Sequence, residues 1–381
     1  MIAYNKNALD IRRLRQIVDQ LAAAKLLSAE ETQNIKAHYP DQLYTPHLFV
    51  RIGFGLLTLI ASAAVFGLLL LMTDGSVPTI TCLIIAILSL FALEFFIREK
   101  KHFRAGVDDV LLHLTIFYCI AAFVVSNSFS DHSYSLFFFV SVIGYFIGAF
   151  RYLNRLAAAL VPISCCLFIF SLFSTLETPF FVYFLAAIAM AGMFFLLSAD
   201  RQQAWPYHAG CFLWARIAAV VACYASLHYH TYAITHYYAD FVDEQLLASH
   251  ARIIFLWAWT ILFPFGVLYY GIRKASNTWI RVALVLIFSI GYFYHLYLGR
   301  IEPELGAILA GVIIICLSSY LILRLQQKKS KRFVYDPGTG ADSLLVPAAL
   351  AGMARLPAPA ADQSTRFEGG SFGGGGAGAD F

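Results

Sequence analysis

Hydrophobic positions along this chain form long, nearly continuous apolar runs, rather than the alternating segments typical of a membrane β-barrel. A helix needs about 20 apolar residues to cross the hydrocarbon layer of a bilayer. The chain contains ten such runs, at 48–72, 78–97, 107–126, 135–150, 156–176, 180–199, 208–229, 252–272, 280–299 and 304–323. The pattern therefore predicts an all-α, polytopic transmembrane bundle of about ten spans.

Residues 7–38 show a different, amphipathic pattern. Apolar side chains recur at helical spacing at Leu9, Leu14, Ile17, Val18 and Leu21. Ser28 with Glu31 three residues later forms a predicted capping box that begins a second helix. Two short helices cannot bury a core of their own, so this hairpin either packs on the spans or docks on a partner.

Composition agrees with a membrane location. Apolar residues make up 60% of the chain and charged residues 13%, against about 25% charged in soluble domains. The mean hydropathy is +0.70. These values exclude a soluble enzyme, a secreted disulfide module and a disordered protein. All seven cysteines fall in predicted spans without metal-ligand spacing, which predicts reduced thiols.

Lys and Arg residues predict the orientation. The segment before the first span, the even-numbered loops and the C-terminal side hold all but three of the 27. The exceptions are Arg216 within a span, Arg252 at a span edge and Arg300. By the positive-inside rule, both termini are expected in the cytoplasm. No cleavable signal peptide is visible, so the first span is expected to act as the membrane signal.

Three regions follow from these patterns. We predict a cytoplasmic helical hairpin at 1–46, a ten-span transmembrane domain at 47–324 and a basic, then Ala/Pro/Gly-rich, disordered cytoplasmic tail at 325–381. The tail ends in EGGSFGGGGAGADF, which contains seven glycines. It is either a flexible tail or a peptide whose Phe372 and Phe381 are held by a partner.

Two sequence stretches carry a resemblance. The run LAAAKLLSAEETQNIKAHY ahead of the apolar body, and the late segment GYFYHLYLGRIEPELGAILAGVIII, resemble an uncharacterised family of bacterial multi-span membrane proteins with a short N-terminal helical hairpin. The Gly-rich tail resembles those of bacterial envelope proteins. The resemblance implies a multi-pass protein of the bacterial inner membrane, and it implies no activity and no site residues.

Charged side chains within spans are costly and often functional. Arg216 lies about eight residues into the seventh span, roughly 12 Å deep at 1.5 Å per residue. Glu94, Asp109 and His113 fall in the same leaflet, the last two on one helix face. The four residues form a candidate intramembrane polar cluster. The alternatives are a site for an ion or substrate, a structural ion pair between helices, or an arginine that reaches to the interface.

A second candidate lies in the longest outer loop, 230–251, and its flank, where His228, His230 and His236 occur among tyrosines. Three histidines can bind zinc or copper, but the residues also suit an aromatic belt at the interface, and we predict no metal. Gly144 and Gly148 form a GxxxG pair, which serves internal helix packing or a homo-oligomer.

Catalytic motifs such as HExxH, GxSxG and the Walker A loop are missing from the sequence, and the loops are short. We therefore expect no catalytic residues, no cofactor and no nucleic-acid partner. The leading interpretation is a membrane scaffold or sensor that engages a protein partner through its cytoplasmic ends. The alternative is a secondary transporter of a small solute or ion with a polar site around Arg216.

Overall fold

The computed structural model describes residues 2–23, 26–73, 78–126, 133–173, 180–197, 205–232, 250–274, 276–298 and 311–312. Within these ranges the chain is helical, and its extended pairing is limited to a bridge between Tyr44 and His102. The helices are α1 (Lys6–Ala23), α2 (Ala29–His38), α3 (Leu48–Met72), α4 (Pro78–Arg98), α5 (Val107–Ser126), α6 (Ser133–Arg151), α7 (Arg155–Leu172), α8 (Phe181–Leu196), a 3-10 turn (Pro206–His208), α9 (Ala209–Ser226), α10 (His250–Arg273) and α11 (Asn277–Leu298).

Seven of these segments are long and apolar enough to cross a membrane, namely α3 to α7, α9 with its preceding turn, and α10. The chain is therefore a helical integral membrane protein. Helix α8 and the Asn277–Gly291 part of α11 are apolar but shorter, and they match the predicted sixth and ninth spans. The predicted tenth span and the tail lie outside the described residues, except for 311–312. The count of ten spans stays a prediction.

The N-terminal hairpin forms as its sequence predicts. The Ser28 hydroxyl accepts a hydrogen bond from the Glu31 backbone N–H at 3.1 Å, and the Glu31 carboxylate accepts one from the Ser28 N–H at 2.8 Å. Tyr4, Ala8 and Leu9 are buried in one core cluster with side chains of α4 and α5. The hairpin thus packs on the membrane helices, which was one of the two interpretations that the sequence left open.

The GxxxG pair of α6 packs within the chain. A Cβ at Gly144 would lie 3.0 Å from the Ile116 side chain of α5, and one at Gly148 would lie 3.1 Å from Ala157 of α7. The two glycines therefore let α6 approach both neighbouring helices closely. The six described cysteines are free thiols, in agreement with the sequence, and Cys316 lies outside the described residues.

Candidate functional site

Most of the polar chemistry in the described residues gathers at one end of the bundle, beneath the hairpin. We call this end the N-terminal face; it comprises α1, the linker 40–47, the loop 99–106, the loop 152–154 and the adjoining helix ends. The linker 40–47 is fixed to the loop 99–106 by two hydrogen bonds. The Tyr44 N–H donates to the Lys101 carbonyl at 2.9 Å, and the Tyr44 carbonyl accepts from the Phe103 N–H at 3.0 Å. Positive φ angles at Lys101, Arg104 and Gly106 shape that loop.

Glu94, near the end of α4, is the centre of a first cluster on this face. One of its carboxylate oxygens accepts hydrogen bonds from Arg151 Nη2 at 2.7 Å and from the Tyr152 hydroxyl at 2.8 Å. The other oxygen accepts from Arg98 Nε at 3.0 Å. Burial, followed by the hydrogen bond to Glu94, raises the pKa of Tyr152 to about 12. The Glu94 cluster therefore joins the ends of α4 and α6.

Asp109 is the centre of a second cluster, at the start of α5. It pairs with Arg51 of α3 and accepts a hydrogen bond from the Asn154 amide at 2.8 Å. Asn154 also caps α7, since its side-chain oxygen accepts from the Ala157 N–H at 2.8 Å. His113 lies one turn further along α5 and interacts with both Asp109 and Asn154. The Asp109 cluster thus links three membrane helices.

The hairpin is held on this face by polar and aromatic contacts, in addition to its buried apolar residues. Tyr207, just before α9, donates a hydrogen bond to Asp10 of α1 at 2.7 Å. The Tyr4 ring meets Phe103 edge-on at a centroid distance of 4.9 Å. The pKa of Tyr4 is raised well above its ordinary value, chiefly because the ring is buried. Burial also lowers the pKa of the Arg104 guanidinium to about 10.

Arg216 lies in a different environment, on α9. Its guanidinium carbon is 4.5 Å from the ring centre of Phe194 and 5.3 Å from that of Trp279. Its Nη2 is 3.4 Å from the Tyr270 hydroxyl, and its buried Nε has no hydrogen-bond partner among the residues that the structure describes. We call these four residues the Arg216 box. Among the residues that the structure describes, no carboxylate forms an ion pair with Arg216.

The four residues of the candidate polar cluster therefore occupy three environments. The structure brings Asp109 and His113 together, gives Glu94 its own arginine partners and surrounds Arg216 with aromatic rings. The sequence analysis did not identify Arg51, Arg151 and Asn154 as partners. Their positions at the ends of spans could have identified them, because a basic or amide side chain there can reach a carboxylate on the next helix.

The histidine group is described only in part, because His236 lies outside the described residues. The rings of His228 and His230 pack on Phe293 of α11, at centroid distances of 4.3 and 4.7 Å. Burial lowers the pKa of His228 to about 4, which keeps the ring neutral at pH 7. Within the described ranges, no group of three His, Cys, Asp or Glu side chains could hold a metal ion.

Comparisons with known proteins give no family for this chain. No protein-family model, curated protein or solved structure matches it. The polar side chains of the N-terminal face mostly bind each other and fix the hairpin on the membrane helices. Such an arrangement can hold a surface in place for recognition.

Proposed function

We propose that this chain is a membrane scaffold or sensor of the bacterial inner membrane, which engages a protein partner through its N-terminal hairpin. The observation that carries the proposal is the way the hairpin is held. Its docked side is fixed by buried side chains and by the hydrogen bond between Tyr207 and Asp10, while an apolar stripe on α1 is exposed in the part of the chain that the structure describes.

The uncovered stripe consists of Leu14, Ile17 and Leu21, which share one face of α1. Their exposed fractions are 37%, 46% and 37%, and charged residues such as Arg13 and Asp19 lie beside them. An exposed apolar patch with a polar rim is typical of a protein interaction surface. Since the hairpin is fixed on the membrane helices, a partner bound here would be held at the membrane.

The basic residues favour a cytoplasmic location for the N-terminal face, which suits this proposal. Arg51, Arg98, Arg151 and Arg155 all lie at helix ends of the N-terminal face. The positive-inside rule places such a face in the cytoplasm, together with both termini. The proposed partner is accordingly a cytoplasmic protein, which the tail at 325–381 would help to recruit.

Site-specific photocrosslinking in bacterial membranes tests the proposal. We expect a crosslinker at Ile17 to give one discrete protein adduct, and a crosslinker at the neighbouring exposed Gln16 to give none. The Leu21→Asp substitution should remove the Ile17 adduct and leave the melting temperature unchanged, because Leu21 is not part of the buried core. Equal adducts at both positions, or adducts with lipid alone, would contradict the proposal.

One observation favours the transporter alternative, namely that the buried Arg216 Nε has no hydrogen-bond partner within the described ranges. Single cysteines at positions 212, 216 and 219, in a background without native cysteines, test for a water-filled cavity. Labelling at 216 by a membrane-impermeant thiol reagent, blocked by a small solute, would favour transport. Protection at all three positions from both sides would exclude an aqueous path and leave the scaffold interpretation.

A further inference from the structure

Helix α3 contacts the remaining helices near its two ends. At its start, Arg51 pairs with Asp109, and Gly106 approaches so closely that a Cβ there would lie 2.1 Å from the Arg51 carbonyl oxygen. Near its other end, Phe66 packs on Tyr118 with ring centres 5.4 Å apart. Gly55 is the one buried residue of this 25-residue helix. Between these contacts, Leu57, Ala61 and Val65 of α3 line an open space.

The gap is a crevice of about 540 Å³ between α3, α4 and α5. We call it the α3 crevice. Its walls are mainly aliphatic and aromatic, with Leu57, Val65, Ile85 and Leu88 among them. All three helices are membrane spans, so the crevice lies within the hydrocarbon layer. Protein interiors are otherwise close-packed, and an apolar space of this size inside a bilayer is suited to a hydrocarbon chain.

The end of the crevice at the N-terminal face is polar. His102 lines it, between the rings of Tyr44 at 5.1 Å and Phe96 at 5.2 Å. Its Nδ1 atom is buried and has no hydrogen-bond partner among the described residues. Burial lowers the pKa of His102, and of the two nearby charges Asp108 raises this pKa while Lys100 lowers it to a smaller extent. The crevice therefore ends, within the described residues, at an unused hydrogen-bonding group in a basic loop.

Asp108 also faces His102, with the opposite charge. Its two carboxylate oxygens already accept hydrogen bonds from the backbone N–H groups of Arg104 and Ala105, both at 2.7 Å. Lys100 and Lys101 are exposed and belong to the same basic loop as His102. The mouth is thus suited to a negatively charged group.

We propose that the α3 crevice binds one acyl chain of an anionic phospholipid, with the phosphate of its headgroup at His102 and Lys100. A helix is about 10 Å wide or more, so a second copy could not enter without breaking the contacts at both ends of α3. A single flexible chain fits between them. Basic residues at the membrane surface attract the anionic lipids of the cytoplasmic leaflet.

This proposal does not depend on the partner proposed for the hairpin. It adds a lipid contact directly beneath that hairpin, because Tyr44 belongs to the linker that joins α2 to α3. A lipid at His102 would pack against the Tyr44 ring. Occupancy of the crevice would therefore affect the linker whether or not a protein binds the stripe on α1.

Photocrosslinking in nanodiscs tests the proposal with the full chain. The probes are phosphatidylglycerol and phosphatidylcholine that carry the same photoactivatable acyl chain, and the adducts are mapped by mass spectrometry. We expect adducts concentrated at the crevice residues of α3 and α4. The anionic probe should label them about fivefold more strongly than the zwitterionic one, as one neighbouring lysine would give.

Two substitutions on α3 provide a matched pair. Ala61 lines the crevice, whereas Ala63 is exposed and lies on the other side of the helix. We expect Ala61→Phe to remove the crevice adducts and Ala63→Phe to leave them. The loop variant Lys100→Gln changes an exposed side chain and should reduce labelling by phosphatidylglycerol to the level of phosphatidylcholine, even if Ala61→Phe fails to fold.

Several results would overturn the proposal. They are equal labelling by the two probes in the unmodified chain, labelling spread evenly over all lipid-facing helices, and an unchanged adduct pattern in a folded Ala61→Phe variant. Crosslinks between the α3 helices of two copies that exclude lipid would also overturn it, since a dimer would then cover the crevice.

Discussion

Glu94 and Asp109 at the N-terminal face are each matched by an arginine from another helix, whereas Arg216 is matched by aromatic rings. The first arrangement satisfies charge with charge and fixes the relative positions of α3 to α7. In the second arrangement, the guanidinium contacts ring faces and donates one long hydrogen bond, which fixes the orientation of the neighbouring helices less strictly. We infer that the N-terminal face determines the geometry of the bundle, and that the Arg216 box tolerates its charge.

The largest effect is expected at Gly106, where α3 meets α5. Its φ of +94° and a Cβ position 2.1 Å from the Arg51 carbonyl leave no room for a side chain. Gly106→Ala should lower the free energy of unfolding by about 3 kcal/mol, measured by denaturation in micelles. Gly53→Ala is the control, because no described atom outside its own stretch of helix lies within 4 Å of its Cβ position, and it should have no cost. Similar losses in both variants would contradict the close contact.

The second effect concerns the Glu94 cluster. Glu94→Leu should cost about 2 kcal/mol, because Arg151 and Tyr152 lose their shared acceptor in a partly buried position. Arg98 is mostly exposed, so Arg98→Ala should change the stability by no more than about 0.5 kcal/mol. Thermal unfolding of both variants checks the difference. If Glu94→Leu were neutral, the cluster would not hold α4 to α6.

A smaller, pH-dependent effect is expected at His228. Its pKa is about 4 in the folded state, against 6.5 for an ordinary histidine, because the ring is buried. The unfolded chain therefore binds the extra proton first, and stability falls as the pH drops from about 6.5 towards 4, by at most about 1.4 kcal/mol per pH unit. His228→Phe should flatten the melting temperature over this range. An unchanged slope in that variant would assign the effect to other groups.

The smallest effect is expected in the Arg216 box. Arg216→Met removes two cation–π contacts but also removes the cost of a buried charge, and the two terms are similar in size. The free energy of unfolding should stay within about 1 kcal/mol of the unmodified chain, or increase. A loss above about 2 kcal/mol would mean that the guanidinium is bound as firmly as the ion pairs of the N-terminal face.

Much of the architecture could be predicted because it depends on local patterns. The apolar runs predicted the apolar helices α3 to α11 within a few residues, and seven of these are long enough to cross a membrane, because a bilayer requires a helix of about fixed length. The capping box at Ser28 and Glu31 was predicted for the same reason, because its hydrogen bonds join residues three positions apart.

The polar site was predicted less well. The sequence identified the costly charges Glu94, Asp109 and Arg216, since any charge in an apolar run is conspicuous. It grouped them by depth alone, however, and depth does not say which helices are neighbours. Arg151 lies 57 positions from Glu94, and Arg51 lies 58 positions from Asp109. Such pairs follow from helix packing.

The sequence by itself thus determined the helices, their caps and the residues that must find partners, because these depend on hydrophobicity and on spacing within one helix. Tertiary structure alone decided that the hairpin docks on α4 and α5, that Arg216 meets Phe194 and Trp279, and that α3 leaves a crevice. The physical reason is that packing depends on shape complementarity between surfaces far apart in the chain, and no local pattern encodes that complementarity.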